Sequence, residues 1–336
     1  MAEVQVSARI GLMIVQAAAA RAVTPSTLAG TVGFDLTHAQ DPDARIPFAL
    51  EQRLWDEAAR LTGDGAFGLH TAESLPLGAY GVLEYAVRSA PTFRDAVLRL
   101  ARYNRIVHDA AVFQLDESPA RARVEHDFRV AGLVQSRHGA EFTLATHILI
   151  GSQITATQLR PLAVEFRHAR PASIDEHVRV FGVEPRFLER VNALEWPPNA
   201  MELAIPQADS ALSSVLERHA EDRLAALPEL TMSYADRVRQ QLASQLGAGL
   251  SSLAEVAAKL KMSERSLQRR LASEGVSFDG LLDGLRHQLA LRYLADPRLA
   301  VSDVAYLLGY SEPSPFHRAF RRWTGATPSE VRARGG

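Results

Sequence analysis

Residues 304–332 read VAYLLGYSEPSPFHRAFRRWTGATPSEVR, and this stretch decides the architecture of the C-terminal part of the chain. Phe316, Phe320 and Trp323 recur at i, i+4 and i+7, the apolar stripe of a helix. Before them a short helix, Asp303 to Leu308, is expected with Ser302 as its N-cap, and Gly309-Tyr310 makes the turn between the two. Two short helices across a tight turn form a helix-turn-helix: the first props the second, whose outward side chains fit the DNA major groove. With the aromatic stripe turned inward, His317, Arg318, Arg321 and Arg322 remain for DNA. Pro313 and Pro315 both fall at the start of the second helix. If Ser311 is the cap, Pro315 sits one residue too deep for a first turn whose N–H groups are free in any case, which moves the expected start toward Ser314. Thr327-Pro328-Ser-Glu330 then opens a last helix with proline at its first position and a capping box.

Working outward, the same layout stands about 49 residues earlier, counting Ser263 to Glu312. Ser252 and Glu255 form a capping box for a helix through Val256, Ala257 and Leu260. Lys261-Met262 is the turn, and Ser263 caps the helix Glu264 to Ala272. Leu267 and Leu271 face the first helix, which leaves Arg265, Gln268, Arg269 and Arg270 directed elsewhere. Between the units Phe278 to Leu294 is a 17-residue amphipathic helix, roughly 25 Å long, stiff enough to hold two reading heads apart. One such helix pair is weak evidence, since any two capped helices produce it. Two copies with a spacer, in a segment of net charge +5, are strong evidence.

The whole chain of 336 residues carries 37 Lys+Arg against 39 Asp+Glu, so a uniformly basic chromatin-type protein is excluded. The +5 of residues 230–336 is balanced by −7 in residues 1–229, an acidic front and a basic back with two jobs. Arginine by itself is not the signal, because all basic residues except Lys259 and Lys261 are arginine in both halves.

The front reads as α+β, helices with short antiparallel strands. Helices are expected over Ile46–Leu61 (stopped by Gly63), Val82–Ala90, Thr92–Val107 with Thr92 as N-cap, and Ala140–Thr155. A hairpin is expected from Ala111–Leu115 and Arg121–Phe128, with Val112, Val124 and Phe128 inward. Leu162–Arg167 is a further strand, Ala193–Trp196 and Met201–Ile205 a last pair, and Ser173-Ile-Asp-Glu176 a capping box. Ala208 to Leu227 is helical with charged faces and ends at Pro228. The expected division is a sensing and dimerisation domain at 1–208, a helical connector at 209–231 and an all-α DNA-binding domain at 232–336, with its two units near 252–272 and 302–323.

Other chemistries find little support. Without cysteine there is no disulfide, thiol nucleophile or Cys-ligated metal. Gly63-Asp-Gly65-Ala-Phe-Gly68 spells G-x-G-x-x-G but follows a helix rather than a strand, so it reads as a glycine-rich helix stop and not a phosphate loop. The histidines offer no HExxH; His138, Glu141 and His147 come nearest to a site and read as surface or satisfied core groups. No G-x-S-x-G is present. Neither metal nor cofactor is expected, and no enzymatic constellation is found. The apolar run Ile10–Ala20 is read as an amphipathic first helix, not a secretory signal, because Glu3 and Gln16 spoil that pattern. No apolar stretch is long enough for a membrane span, so a soluble, cytoplasmic protein is expected. Tyr80, Tyr85 and Tyr103 are candidates either for an effector pocket or for core.

The stretch from Val304 to Arg332 closely resembles the signature of AraC/XylS-type transcription regulators, and Met262 to Leu271 (MSERSLQRRL) resembles that family's first helix-turn-helix. Residues 77–93 (LGAYGVLEYAVRSAPTF) and 162–171 (LAVEFRHARP) are similar to the sensor domain of the ornithine-utilisation-type subgroup. The resemblance implies two recognition helices in successive major-groove segments of double-stranded operator DNA. It places Arg265, Gln268 and Arg269 at base edges in the first unit and Ser314 and Arg318 in the second, with His317 nearby, leaving Arg270, Arg321 and Arg322 for phosphate. It further implies a small-molecule effector, a homodimer, and activation through contact with RNA polymerase. An effector-independent repressor whose front domain only dimerises is the alternative.

Overall fold

The computed structural model describes residues 4–130, 133–228, 233–245, 252–294 and 299–335. The chain forms two compact units: one comprises Glu3–Phe128 and Gln135–Glu229, and the other includes Leu230–Gly336.

The first unit opens with β1 (Gln5–Ser7), α1 (Ala8–Ala19) and α2 (Pro25–Val32), followed by β2 (Arg45–Pro47) and α3 (Phe48–Thr62). β1 and β2 pair antiparallel, Val6 opposite Ile46. Gly63 ends α3 in the left-handed region (φ 66°), where glycine carries no Cβ penalty. Then come α4 (Phe67–Glu73), α5 (Val82–Arg88) and α6 (Phe93–Tyr103), the last begun by Thr92, whose Oγ1 accepts the Asp95 N–H at 3.2 Å. β3 (Ala111–Glu117) and β4 (Ala122–Phe128) precede α7 (Arg137–Thr155), and β5 (Ala163–Glu165), α8 (Asp175–Phe181), β6 (Asn192–Trp196) and α9 (Ser210–Ala226) complete the unit.

The main sheet has the order β3-β4-β6-β5, antiparallel throughout. Val124, Leu194 and Val164 lie side by side across it and are all buried. α7 is buried on most of its circumference, which is why its sequence shows little periodicity. α9 lies on this unit: Arg99 binds Ser213 at 2.7 Å and Arg102 binds Glu221 at 2.7 Å.

Three expectations for this unit are corrected. The inward residues of β3 are Ala111 and Phe113 rather than Val112, because Phe113 stands opposite His126 and stacks on it at 4.9 Å, which sets the register. Met201–Ile205 is not a strand: Pro198–Glu202 is a 3₁₀ turn, and only Ala204 makes a bridge, to Thr92. Pro197 and Pro198 have no N–H to give to a ladder. Ser173 and Glu176 form no capping box. Ile174 is the N-cap, Ser173 Oγ accepts the Asp175 N–H, and Glu176 binds His70 and Arg179 instead.

The second unit is all helix among its described residues: α10 (Tyr234–Gln245), α11 (Leu253–Lys259), α12 (Glu264–Ser273), α13 (Phe278–Leu294), α14 (Val301–Leu307), α15 (Pro313–Thr324) and α16 (Pro328–Gly335). α13 serves two cores. Leu281 and Leu285 pack with Val256, Ala257, Leu267 and Leu271, while Ala290 and Leu294 pack with Val304, Ala305, Phe316 and Phe320.

Candidate nucleic-acid interface and ligand cavity

Each of the two modules is built from local rules that the sequence obeys twice. In the first, Ser252 Oγ accepts the Glu255 N–H and Glu255 returns the bond to the Ser252 N–H at 2.8 Å. In the second, the equivalent residues are 48 further on. Asp303 accepts the Ala300 N–H at 3.0 Å, and Ala300, not Ser302, is the N-cap of α14. Both first helices then end in one hydrogen-bonded turn: the Lys261 and Met262 N–H groups reach the Ala258 and Ala257 carbonyls, and those of Gly309 and Tyr310 reach Tyr306 and Ala305. This turn needs a residue at positive φ. Gly309 supplies it at 79°, and Lys261 adopts it at 55°.

The second helices are offset by 49, so the second turn is one residue longer. Ser263 Oγ caps α12 through the Ser266 N–H, and Glu312 is the N-cap position of α15. Pro313 and Pro315 therefore occupy the first and third helical positions, where an N–H would have no intrahelical acceptor, and both are accommodated.

Leu267 and Leu271 in α12 and Phe316 and Phe320 in α15 are buried at matching positions. Arg265, Gln268 and Arg269 are exposed on the opposite side of α12; Ser314, Arg318 and Arg321 are exposed on α15, with His317 half-buried against Phe316. The remaining two predicted residues are engaged within the unit: Arg270 lies over the Tyr234 ring at 5.3 Å, and Arg322 binds Asp283 at 2.5 Å. Glu274 fixes α12 against α10 by accepting the Tyr234 and Ala235 N–H groups, each at 2.8 Å.

A cavity opens in the first unit between α3, α5, α6, α7 and the sheet, with about 120 Å³ of space for the centre of a water-sized sphere. Most of its wall is apolar, including Leu83, Val87, Phe93, Val97, Ile150 and Ile154. Polar groups enter from Glu51, Tyr80 and Glu84 and from His108, His126 and His147. Two of the imidazoles have tautomers set by backbone groups. His108 Nδ1 accepts the Ala110 and Ala111 N–H groups, so Nε2 carries the proton. His147 Nδ1 is 2.6 Å from the Thr143 carbonyl and holds the proton there, leaving Nε2 as an acceptor. His108 Nε2, His126 Nδ1 and His147 Nε2 are buried without a protein partner among the described residues. Burial holds all three in the neutral form, His108 down to about 3.

Of the three tyrosines singled out in the sequence, Tyr80 lines the cavity, Tyr85 is exposed, and Tyr103 is buried core whose hydroxyl donates to Glu221. The grouping of His138, Glu141 and His147 divides. Glu141 is wholly buried, with His177 Nε2 at 2.9 Å and His138 Nδ1 at 3.6 Å, while His147 turns to the cavity. No cluster of His, Asp or Glu among the described residues has metal-binding arrangement. The G-x-G-x-x-G stretch is a helix stop followed by a close approach, since a Cβ on Gly68 would lie 2.0 Å from the His138 carbonyl oxygen. No helix of the described residues is long and apolar enough to cross a membrane.

Two capped helix-turn-helix modules sharing one helix, on a chain whose other unit holds a cavity, define a DNA-binding transcription regulator rather than an enzyme. The chain belongs to the AraC family: residues 23–205 match the arabinose-binding domain of AraC transcription regulator, N-terminal, and residues 256–334 match a helix-turn-helix domain. It is 32% identical to the ornithine utilization regulator of Pseudomonas aeruginosa, over 87% of this chain and 85% of that protein. It is 30% identical to the HTH-type transcriptional regulator VirS of Mycobacterium tuberculosis, over 88% and 86%. The crystal structure of transcriptional regulator CdpR from Pseudomonas aeruginosa aligns over 96% of this chain and 97% of its own, at 25% identity and a TM-score of 0.45.

Proposed function

We propose that the protein is a one-component activator whose operator affinity is set by a small molecule held in the cavity of the first unit. The observation that supports effector control is the cavity itself, mostly apolar, with a few convergent polar atoms that no described protein group satisfies. The effector need only bind the DNA-competent arrangement better than the other. By resemblance to its family, the bound protein contacts RNA polymerase and acts as a homodimer in the cytoplasm.

In this reading Arg265, Gln268 and Arg269 address base edges from α12, and Ser314 and Arg318 do so from α15, with His317 beside them. Arginine pairs with guanine O6 and N7, and glutamine with adenine, at about 1 to 3 kcal/mol of discrimination each. Arg321 binds phosphate as it stands. Arg270 and Arg322 reach phosphate only by leaving Tyr234 and Asp283, so they contribute less.

The test is binding of the purified chain to the DNA upstream of its own gene, with a random duplex as control, across a salt series. Sequence-dependent binding that shifts when a small molecule is added is expected. Sequence-dependent binding that no ligand alters would favour the effector-independent repressor, and equal binding to both duplexes would count against the base contacts.

A further inference from the structure

Five carboxylates are buried among the described residues: Glu51, Glu84, Glu141, Glu165 and Asp236. Four of them have a cationic or titratable partner at ion-pair distance. Glu84 has Arg88 at 2.7 Å, Glu141 has His177 at 2.9 Å, Glu165 has Arg123 at 2.5 Å, and Asp236 has Arg239 at 2.9 Å. Glu51 is 5% exposed and lines the cavity, yet it has no such partner among the described residues. Its oxygens accept neutral donors only, Oε1 from Trp55 Nε1 at 3.1 Å and Oε2 from Gln52 Nε2 at 2.7 Å. Two donors arranged on a carboxylate stabilise its ionised form, but a buried negative charge also needs a positive one. No described residue supplies that charge.

The rest of the wall limits what can fill it. No lysine or arginine is among the described lining residues, and Arg88, which is already paired with Glu84, lies outside them, so an anionic ligand would meet the Glu51 carboxylate with no free cation to offset it. The three histidines are neutral and offer both a donor, at His108 Nε2, and an acceptor, at His147 Nε2, which suits an uncharged substituent and not a second charge. Leu83, Val87, Phe93, Val97, Ile150 and Ile154 supply the surface for an apolar body.

Resting on the reading of this cavity as the effector site, we propose that it takes an amine with an uncharged, largely apolar body, the ammonium paired with Glu51. A free α-amino acid is excluded because its carboxylate would be buried unpaired.

The experiment is calorimetric titration of the full chain with two matched sets of probes. One set is 2-phenylethylamine, 2-phenylethanol and 3-phenylpropanoate; the other is octylamine, octanol and nonanoate. In at least one set the amine is expected to bind about tenfold or more tighter than the alcohol, with no binding of the carboxylate. Glu51→Gln is expected to remove that advantage and leave alcohol affinity unchanged. A carboxylate or alcohol binding as tightly as its amine, failure of both amines to bind, or an unchanged amine affinity in Glu51→Gln would each overturn the proposal. The ranking of probes is read on the unaltered chain, so it stands even if the variant folds poorly. Upstream-DNA affinity measured with each probe separates the two readings. Amine binding with no change in DNA affinity upholds the ligand class and overturns effector control. A DNA response to the carboxylate but not to the amine upholds control and overturns the ligand class.

Discussion

Glu51→Gln tests the state of the cavity without any ligand, because the buried carboxyl must leave a signature in stability against pH. Burial, against the hydrogen bonds from Trp55 and Gln52, pushes Glu51 up from 4.5 to about 7. Between those values the folded chain keeps a proton that the unfolded chain has released. The raised value therefore stabilises the fold fully below pH 4.5, and that stability is lost as pH rises through 7. The interval of about 2.5 pH units corresponds to about 3 kcal/mol, of which about 2 to 3 kcal/mol falls between pH 5 and pH 8. Glutamine has no proton to lose. The variant's stability relative to the wild type should therefore rise by about 2 to 3 kcal/mol from pH 5 to pH 8, whatever the offset at pH 5. The neutral histidines of the cavity act in the opposite sense at low pH, since their lowered values make stability fall as pH drops below 6.5, but they are common to both proteins and cancel to first order. Urea unfolding at four pH values, followed by tryptophan fluorescence in a Trp323→Phe background, reads Trp55 and Trp196, both in the first unit. A difference that stays flat within about 0.5 kcal/mol would mean that Glu51 is ionised already at pH 5 and that the carboxylate has a cation after all.

At the DNA-binding unit, Arg269→Ala should cost about 1 to 3 kcal/mol on the specific duplex and little on a random one, and Arg318→Ala should do the same at different base pairs; equal losses on both duplexes in anisotropy titrations would refute base reading. Lys261→Gly should stabilise that unit by about 1 kcal/mol, because it relieves a lysine held at φ 55° where the second module has glycine; an unchanged or lowered melting midpoint would count against it. Leu267→Ala or Phe316→Ala should destabilise it by about 2 to 5 kcal/mol through lost core packing, read as a lower urea midpoint. Gly68→Ala should destabilise the first unit by a few kcal/mol, since the new methyl meets backbone at the His138 carbonyl and not a movable side chain; wild-type unfolding of this variant would show that α4 and α7 are packed less closely.

The C-terminal unit was largely legible because its determinants are local. Caps, turns and i, i+4 stripes each occupy a few consecutive residues, and the two copies check one another. At the start of α14, residue type and position point to different caps. Serine is the better N-cap, but an offset of 48 from Ser252 falls on Ala300, and Asp303 alone holds that helix start through the Ala300 N–H. The two prolines that complicated the second recognition helix are accounted for once its start is at Pro313, because neither removes a hydrogen bond there. What local rules did not show is that Arg270 and Arg322 are occupied, since Tyr234 and Asp283 come from elsewhere in the chain.

The first unit was legible in class and not in its site, for a reason that its cavity makes concrete. The six titratable groups come from α3, α5 and the segment before it, the loop before β3, β4 and α7, and no two of them are close enough in sequence to make a motif except Tyr80 and Glu84. His126 alternates correctly with Val124 as an inward strand residue, so sequence patterning treats it as a polar exception when it is in fact part of the wall. Glu51 sits three residues into an amphipathic helix, where an acid is ordinary because it complements the helix dipole and usually faces water. Its distinction is that no cation stands beside this buried carboxylate among the described residues, a property of every neighbour in space and of none in sequence. A DNA-reading surface is assembled from repeats of one local rule, whereas a ligand cavity is defined by what distant elements leave unsatisfied between them. For this chain the second kind of information bears directly on which molecule the cavity accepts.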